Sequence, residues 1–252
     1  MSAPSPSAFI PVPKNLTSRL LYANPVCALI TANDAAQEGG HNVMTISWLT
    51  AIDNHGLFFL SLNAKRHSAR NVLRERAFTL SVYSEAQRST ALACGASHGT
   101  GVAGGKLAAI GMPVLAPGGG DANAAGGLPV LAHSPAHLQC SLLSVLAPQQ
   151  EVPLEEPVKG AAGECVRISS EADAGSAAPF TIQGHLALLC RVDLAWVMEG
   201  YWSSGKILSP TLPSLPRPLS FLGSGIFAAQ QTLEGVPKGG GGKDRAAGGA
   251  EE

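Results

Sequence analysis

The chain has 252 residues, of which 45% are hydrophobic and only 14% charged, with a formal net charge of −1. That length holds one domain of ordinary to large size or two small ones, with apolar residues enough for a sizeable core. The near-zero charge gives no reason to expect nucleic acid or an anionic membrane surface as partner.

Cys27, Cys94, Cys140, Cys165 and Cys190 are widely spaced and form no CxxC pair. An odd count at such spacing points to reduced thiols in a cytoplasmic setting rather than a disulfide framework. The opening MSAPSPSAFIPVPKN has no basic segment followed by an apolar one, so no secretory signal is expected. No apolar run approaches the ~20 residues of a membrane span.

Residues 1–19 read as an extended, Ser- and Pro-rich arm. Val26 to Thr31 is a strand by its β-branched, apolar composition, and residues 33–40 are a turn. Val43 to Thr50 is the next strand. It alternates, with Val43, Thr45, Ser47 and Leu49 on one face and Met44, Ile46, Trp48 and Thr50 on the other. Thr45 and Ser47 together offer hydroxyls to a ligand, or simply form a half-solvated edge. Leu57 to Leu62 (LFFLSL) is nearly all apolar and predicts a buried strand.

Asn63, Lys65, Arg66, His67 and Ser68 follow. Ser68 reads as an N-cap, and Ala69, Val72, Leu73 and Ala77 lie on one apolar helix face. A strand that delivers cationic side chains to a helix start suits a phosphate, because the first N–H groups and the helix dipole both favour an anion there. Arg74 and Arg76 read as a solvated face. Phe78 to Tyr83 is a strand, and Ser84 with Gln87 fits a capping box opening a helix to about residue 96.

Gly99, Gly101 and Gly104 match GxGxxG, but no strand leads into them, so a dinucleotide fingerprint is rejected. Lys106 does not complete a phosphate-binding P-loop either, since Leu107 stands where Ser or Thr is needed. Lys106 to Ile110 is a short helical turn stopped by Gly111. Residues 113–128 read as an exposed insertion. Pro135 between His133 and His137 spoils a helical zinc pair. Leu138 to Leu146 is a strand, and residues 147–180 are a second insertion with a short strand near Cys165 to Ile168. Leu186 to Trp196 is a long strand, preceded by His185. Four prolines fall within 209–218, and Phe221 to Phe227 closes the ordered chain. The main domain is thus 20–230, with 231–252 a Gly-rich, disordered tail. Many short strands without regular β–α alternation predict a mainly β fold, an antiparallel barrel with peripheral helices.

NVMTISWLT at 42–50 and LFFLSLNAKRHSARNVLRERAFTLSVY at 57–83 resemble the flavin reductase-like proteins with the FMN-binding split β-barrel fold. KLAAIGM at 106–112, GHLALLCRV at 184–192 and RPLSFLGSGIF at 217–227 are similar to further family stretches, in family order. The resemblance implies a homodimer with FMN near the subunit interface. It implies flavin contacts from Asn42, Met44, Thr45, Ser47, Trp48 and Thr50, and phosphate contacts from Asn63, Lys65, Arg66, His67 and Ser68, with Lys106 also cofactor-binding. His185 is a candidate nicotinamide contact, or a polar cap at a strand start. The sequence departs from the family pattern at Asn54-His55-Gly56, Gly184, Cys190, Gly105 and Phe227. The implied activity is hydride transfer from NAD(P)H to FMN; the alternative is an FMN-binding electron carrier or regulatory flavoprotein without NAD(P)H turnover.

Overall fold

The computed structural model describes residues 24–34, 39–97, 105–116, 127–146, 184–203, 207–223 and 226–230. Seven strands carry the architecture: β1 (Cys27–Ala32), β2 (His41–Ile46), β3 (Leu49–Ala51), β4 (Leu57–Asn63), β5 (Ala77–Val82), β8 (Ala136–Leu146) and β9 (His185–Val197). They form one antiparallel sheet in the order β2-β1-β5-β8-β9-β4-β3. The two-residue strands β6 (Val114–Leu115) and β7 (Val130–Leu131) pair with each other. So do β10 (Trp202–Ser203) with β11 (Ile207–Leu208), and β12 (Leu219–Gly223) with β13 (Ile226–Ala229).

The order of the large sheet explains its curl. β2 lies at one edge and β3 at the other, yet only Ser47 and Trp48 separate them in sequence. Two residues span only ~7 Å of extended chain, so the two edges must approach each other. The Ser61 N–H donates to Trp48 O at 2.9 Å, which continues the β3–β4 ladder into the junction. The single strand expected from Val43 to Thr50 is therefore two strands. Tertiary closure breaks it at Ser47, against an unbroken local pattern.

Burial follows the two faces of the curled sheet. Cys27 and Leu29, Phe58, Leu60 and Leu62, Phe78 and Leu80, and Leu186, Leu188 and Cys190 fill the inside. Val26, Ala28 and Ile30 alternate to the outside, where they pack with Val43, Tyr83, Leu107, Leu131 and Leu219. β1 is thus buried on both faces, which accounts for its unbroken apolar run. LFFLSL differs: Phe58, Leu60 and Leu62 point in, but Phe59 is 45% exposed. The expectation of a fully buried strand holds for one face only.

Helix α1 (His67–Glu75) caps the inside of the sheet with Ala69 and Val72. Burying a Val side chain is worth ~1.5–3 kcal/mol. Asn71 is fully buried and ties the helix to β1 through Thr31 Oγ1 at 3.0 Å and Asn33 Oδ1 at 3.2 Å. Arg74 donates to Ala32 O at 3.0 Å, and Arg76 donates to Leu143 O at 2.6 Å. These two arginines are exposed, as expected of a solvated face, but they also fasten the helix. Two local expectations are corrected. The N-cap is Arg66, not Ser68, which lies one residue inside the helix. The helix ends with Arg76 in the left-handed region, so Ala77 starts β5 rather than extending the apolar helix face.

Ser84 and Gln87 form the predicted capping box. The chain then makes one 3₁₀ turn (Glu85–Gln87) and continues as α2 (Arg88–Ala96). α3 (Lys106–Ile110) ends at Gly111, whose φ of 66° only glycine adopts cheaply. The arm 1–19, the Gly motif at 99–104, the insertion 147–180 and the tail 231–252 lie outside the described residues. Of the insertion expected at 113–128, the described part contributes β6.

Candidate functional site

A cleft opens where β2, the start of α1, the end of α2 and the start of α3 converge. Its walls are Asn42, Val43, Met44, Thr45, Arg66, His67, Ser68, Cys94, Gly95, Ser97 and Lys106. The topology makes this convergence. β2 is an edge strand, so its outer flank is open to both helices. The β4–α1 turn is tight: the Asn63 side chain accepts the Lys65 N–H at 3.0 Å, and Asn63 O accepts the Arg66 N–H at 3.0 Å. That turn brings Arg66 to the N-cap with extended backbone and aims the start of α1 at the cleft. The first N–H groups of a helix have no acceptor within it.

Among the described residues, two cations and no carboxylate line this space. Lys106 is 4% exposed, and its ammonium donates to Cys94 O at 2.7 Å and Ser97 O at 2.8 Å. It thereby closes the carbonyl end of α2, where a cation is favoured. Burial pushes its pKa down, and the nearby Arg66 charge adds to this. One of its three N–H groups is left for a ligand. Burial also lowers the His67 pKa, with the Arg70 charge acting in the same direction, which favours a neutral ring. Burial raises the Cys94 thiol pKa, so this thiol is no nucleophile at neutral pH.

Asn42 and Ser68 face each other across the floor. Asn42 Nδ2 donates to Ser68 Oγ at 2.7 Å, and both residues are buried. Asn42 Oδ1 is buried with no hydrogen-bond partner among the described residues. The Thr45 hydroxyl donates to Ala91 O at 2.7 Å. It therefore holds β2 to α2, beside the buried Tyr83 and Cys94 side chains. Such a cleft, with helix N–H groups, two cations and a few hydroxyl and amide groups, suits a phosphate ester.

Seven of the residues singled out in the sequence come together here: Asn42, Met44, Thr45, Arg66, His67, Ser68 and Lys106. Five do not line the cleft. Asn63 shapes the turn, and Lys65 is exposed beside it. Trp48 and Thr50 line a separate apolar groove on the outer face of β3 and β4, with Phe59, Ser61 and Leu146. Ser47 sits at the strand break between cleft and groove. His185 also stands outside the cleft; it pairs with Asn63 in the β4–β9 ladder and stacks on Trp48, with centroids 4.9 Å apart. The sequence reading missed Val43, Cys94, Gly95 and Ser97. The capping box located the helix that brings Cys94, Gly95 and Ser97, but its weak amphipathic pattern did not show which side meets β2. Among the described residues no group of three His, Cys, Asp or Glu side chains is arranged to hold a metal.

Comparison with known proteins agrees with this architecture. The family model for the flavin reductase like domain matches residues 18–186. A sequence comparison with curated proteins finds no match. Among solved structures, the chain is similar to an FMN-binding protein from Thermus thermophilus with bound 1-cyclohex-2-enone. The identity is 19%, with 93% of this chain and 100% of that chain covered and a TM-score of 0.56. A flavin-reductase-type protein with a split barrel domain from Shewanella frigidimarina aligns at 10% identity over 90% of this chain and 93% of that one, with a TM-score of 0.61. The flavoredoxin of Desulfovibrio vulgaris aligns at 14% identity over 87% and 93%, with a TM-score of 0.56. The curled antiparallel sheet with its few outer helices is the split barrel. Since the family model covers well over half of the sequence, the chain belongs to the flavin reductase-like family.

Proposed function

We propose that the protein is an FMN-binding flavoprotein that reduces flavin at the expense of NAD(P)H. One observation carries the reading: a cleft at the start of α1 that gathers Arg66, Ser68 and Lys106, with no carboxylate among its described lining residues. The Thermus thermophilus neighbour is an FMN-binding protein, which supports the same cofactor here.

Arg66, Ser68, Lys106 and the first N–H groups of α1 hold the phosphate. Asn42, Thr45 and Met44 border the chain and ring that lead away from it; Ser47, Trp48 and Thr50 lie beyond them, at the strand break and along the neighbouring groove. Asn63 and Lys65 fix and flank the phosphate turn. When bound, FMN would supply two-electron redox chemistry. The protein's part is to orient that group, keep water from it and seat the nicotinamide. His185, one register step from the turn into α1 and backed by the Trp48 ring, is the candidate nicotinamide contact. A second copy of the chain would cover the exposed Phe59 and Trp48 side chains, as a homodimer with the site near its interface. No helix among the described residues is long and apolar enough to cross a membrane, and a cytoplasmic flavoprotein is the setting this reading favours.

A second reading is an FMN-binding electron carrier without NAD(P)H turnover. The stacking of His185 on Trp48 favours it, because that ring face is already occupied. Anaerobic mixing of the FMN-loaded protein with NADH or NADPH separates the two. Rapid loss of the oxidised flavin's visible absorption supports the reductase. Bleaching by dithionite alone supports the carrier. Failure to retain any flavin defeats both.

A further inference from the structure

We propose that the open end of the barrel binds a small hydrophobic amine, with its apolar body in the barrel mouth and its ammonium at Asp53. This site is separate from the cleft at the start of α1 and does not rest on the FMN reading.

The two ends of the curled sheet are closed differently. α1 follows Asn63 at the end of β4 and bonds to Thr31 and Ala32 at the end of β1, so it covers that end. The other end lies where β1 starts at Cys27, β4 starts at Leu57 and β9 runs out to Val197. A cavity of about 430 Å³ opens there. That volume falls in the ~300–1,000 Å³ range of small-molecule sites, and barrel mouths are a recurrent place for them. Its floor is Cys27, Phe58, Leu80 and Val82, all buried, and Leu208 and Trp202 of the β10–β11 hairpin lie at its side. Trp202 stays 50% exposed. An apolar ligand gains by covering such surface, because it removes apolar area from water on both partners.

Charge sets the class of ligand. Asp53, in the turn between β3 and β4, lines the mouth, and no Lys or Arg is among the described lining residues. Its Oδ1 accepts the Leu57 and His55 N–H groups, both at 2.9 Å. These bonds hold the carboxyl below its usual pKa range, so it is ionised at neutral pH, with further lone pairs free to accept. His137 also borders the cavity, but its Nδ1 lies 3.2 Å from Ser81 Oγ and burial lowers its pKa to about 4. The ring is therefore neutral, and Asp53 is the one charge among the described lining residues. An ammonium on an apolar body complements this arrangement, whereas the carboxylate of a fatty acid is repelled by it.

Titration calorimetry of the full chain with n-octylamine, octan-1-ol and octanoate, below their micelle concentrations and near neutral pH, tests the site. The three share one apolar chain and differ in head charge. Wild type is expected to bind octylamine about tenfold more tightly than octanoate, with octan-1-ol between them, and the gap should narrow as salt rises. Asp53→Asn keeps a side-chain carbonyl for the Leu57 and His55 N–H groups and removes the charge, so the probes should then bind within about twofold of one another. Ala195→Trp and Ala51→Trp fill the mouth from opposite walls, at positions that are solvent-exposed. Each should weaken all three probes by at least about tenfold and leave FMN binding as in wild type, because the cleft lies at the other end of β1 and β4. Wild type that binds none of the probes overturns the inference. So does equal binding of octylamine and octanoate, an amine preference that survives Asp53→Asn, or binding that survives both tryptophan substitutions. If no probe binds and Ala195→Trp changes the oligomeric state seen by sedimentation, a second copy of the chain covers the mouth, and the inference is overturned as well.

Discussion

Lys106→Met separates the structural role of one buried ammonium, which closes the end of α2, from the phosphate contact proposed for it. Methionine keeps the unbranched stem and removes the charge. In the folded apo-protein the ammonium makes two bonds, to Cys94 O at 2.7 Å and Ser97 O at 2.8 Å. Bonds to a charged donor are worth ~1.5–3 kcal/mol each. The substitution also relieves the cost of keeping an ammonium out of water, which amounts to several kcal/mol for a buried ion. The two terms oppose each other and leave a net loss of at most about 3 kcal/mol in apo stability, measurable by urea unfolding. The proposed phosphate contact would use the third N–H of the ammonium. Losing its bond to a phosphate should weaken FMN by about 10- to 150-fold and leave riboflavin nearly untouched. If urea stability falls while FMN affinity holds, Lys106 only caps α2 and the phosphate lies elsewhere. If neither moves, the account of this corner of the cleft is wrong.

Three other outcomes follow from the geometry. His137, whose Nδ1 lies 3.2 Å from Ser81 Oγ, has its pKa lowered to about 4 by burial. The unfolded chain binds the proton first, so stability should fall as pH drops from about 6.5 to 4, by roughly 3 kcal/mol at most; urea midpoints of His137→Gln that track wild type through this window would contradict it. Thr45→Val should cost the apo-protein about 0.5–1.5 kcal/mol through the lost bond to Ala91 O, with a smaller effect on FMN affinity; thermal unfolding and flavin titration report the two, and an unchanged midpoint would refute the anchoring role. Gly56 has φ of 98°, and a Cβ there would lie 3.0 Å from Val192 O. Gly56→Ala should therefore destabilise by about 1–3 kcal/mol, and a neutral result in urea unfolding would show that the β3–β4 turn yields easily.

Much of this molecule is legible in its sequence because local pattern and tertiary context agree. Alternation located β5, apolar strand-like runs located β4, β8 and β9, and Ser84 with Gln87 marked a helix start through a real capping interaction. Arg66, His67 and Ser68 of the polar run before α1 reach the cleft because strand, turn and helix follow each other without a gap. Where local pattern and closure disagree, the sequence misleads. Residues 43–50 alternate without a flaw, yet the chain must leave one sheet edge and join the other at Ser47 and Trp48. Ser68 has the composition of an N-cap, but its hydroxyl is taken by Asn42, 26 residues away. Phe59 is as apolar as Phe58, and only the sheet's curvature decides that it faces out. Cys94, Gly95 and Ser97 carry no motif. They enter the cleft because Lys106 and Thr45 draw the end of α2 against β2.

The central claim is that the start of α1 holds a flavin's phosphate. A side-by-side titration of the apo-protein with FMN and riboflavin tests it most directly, since the two ligands differ by that group alone. The account predicts FMN tighter by at least about tenfold, from one or more charge-assisted bonds at ~1.5–3 kcal/mol each. The gap should narrow as salt rises, because Arg66 is only half-buried. Equal dissociation constants for FMN and riboflavin would contradict it.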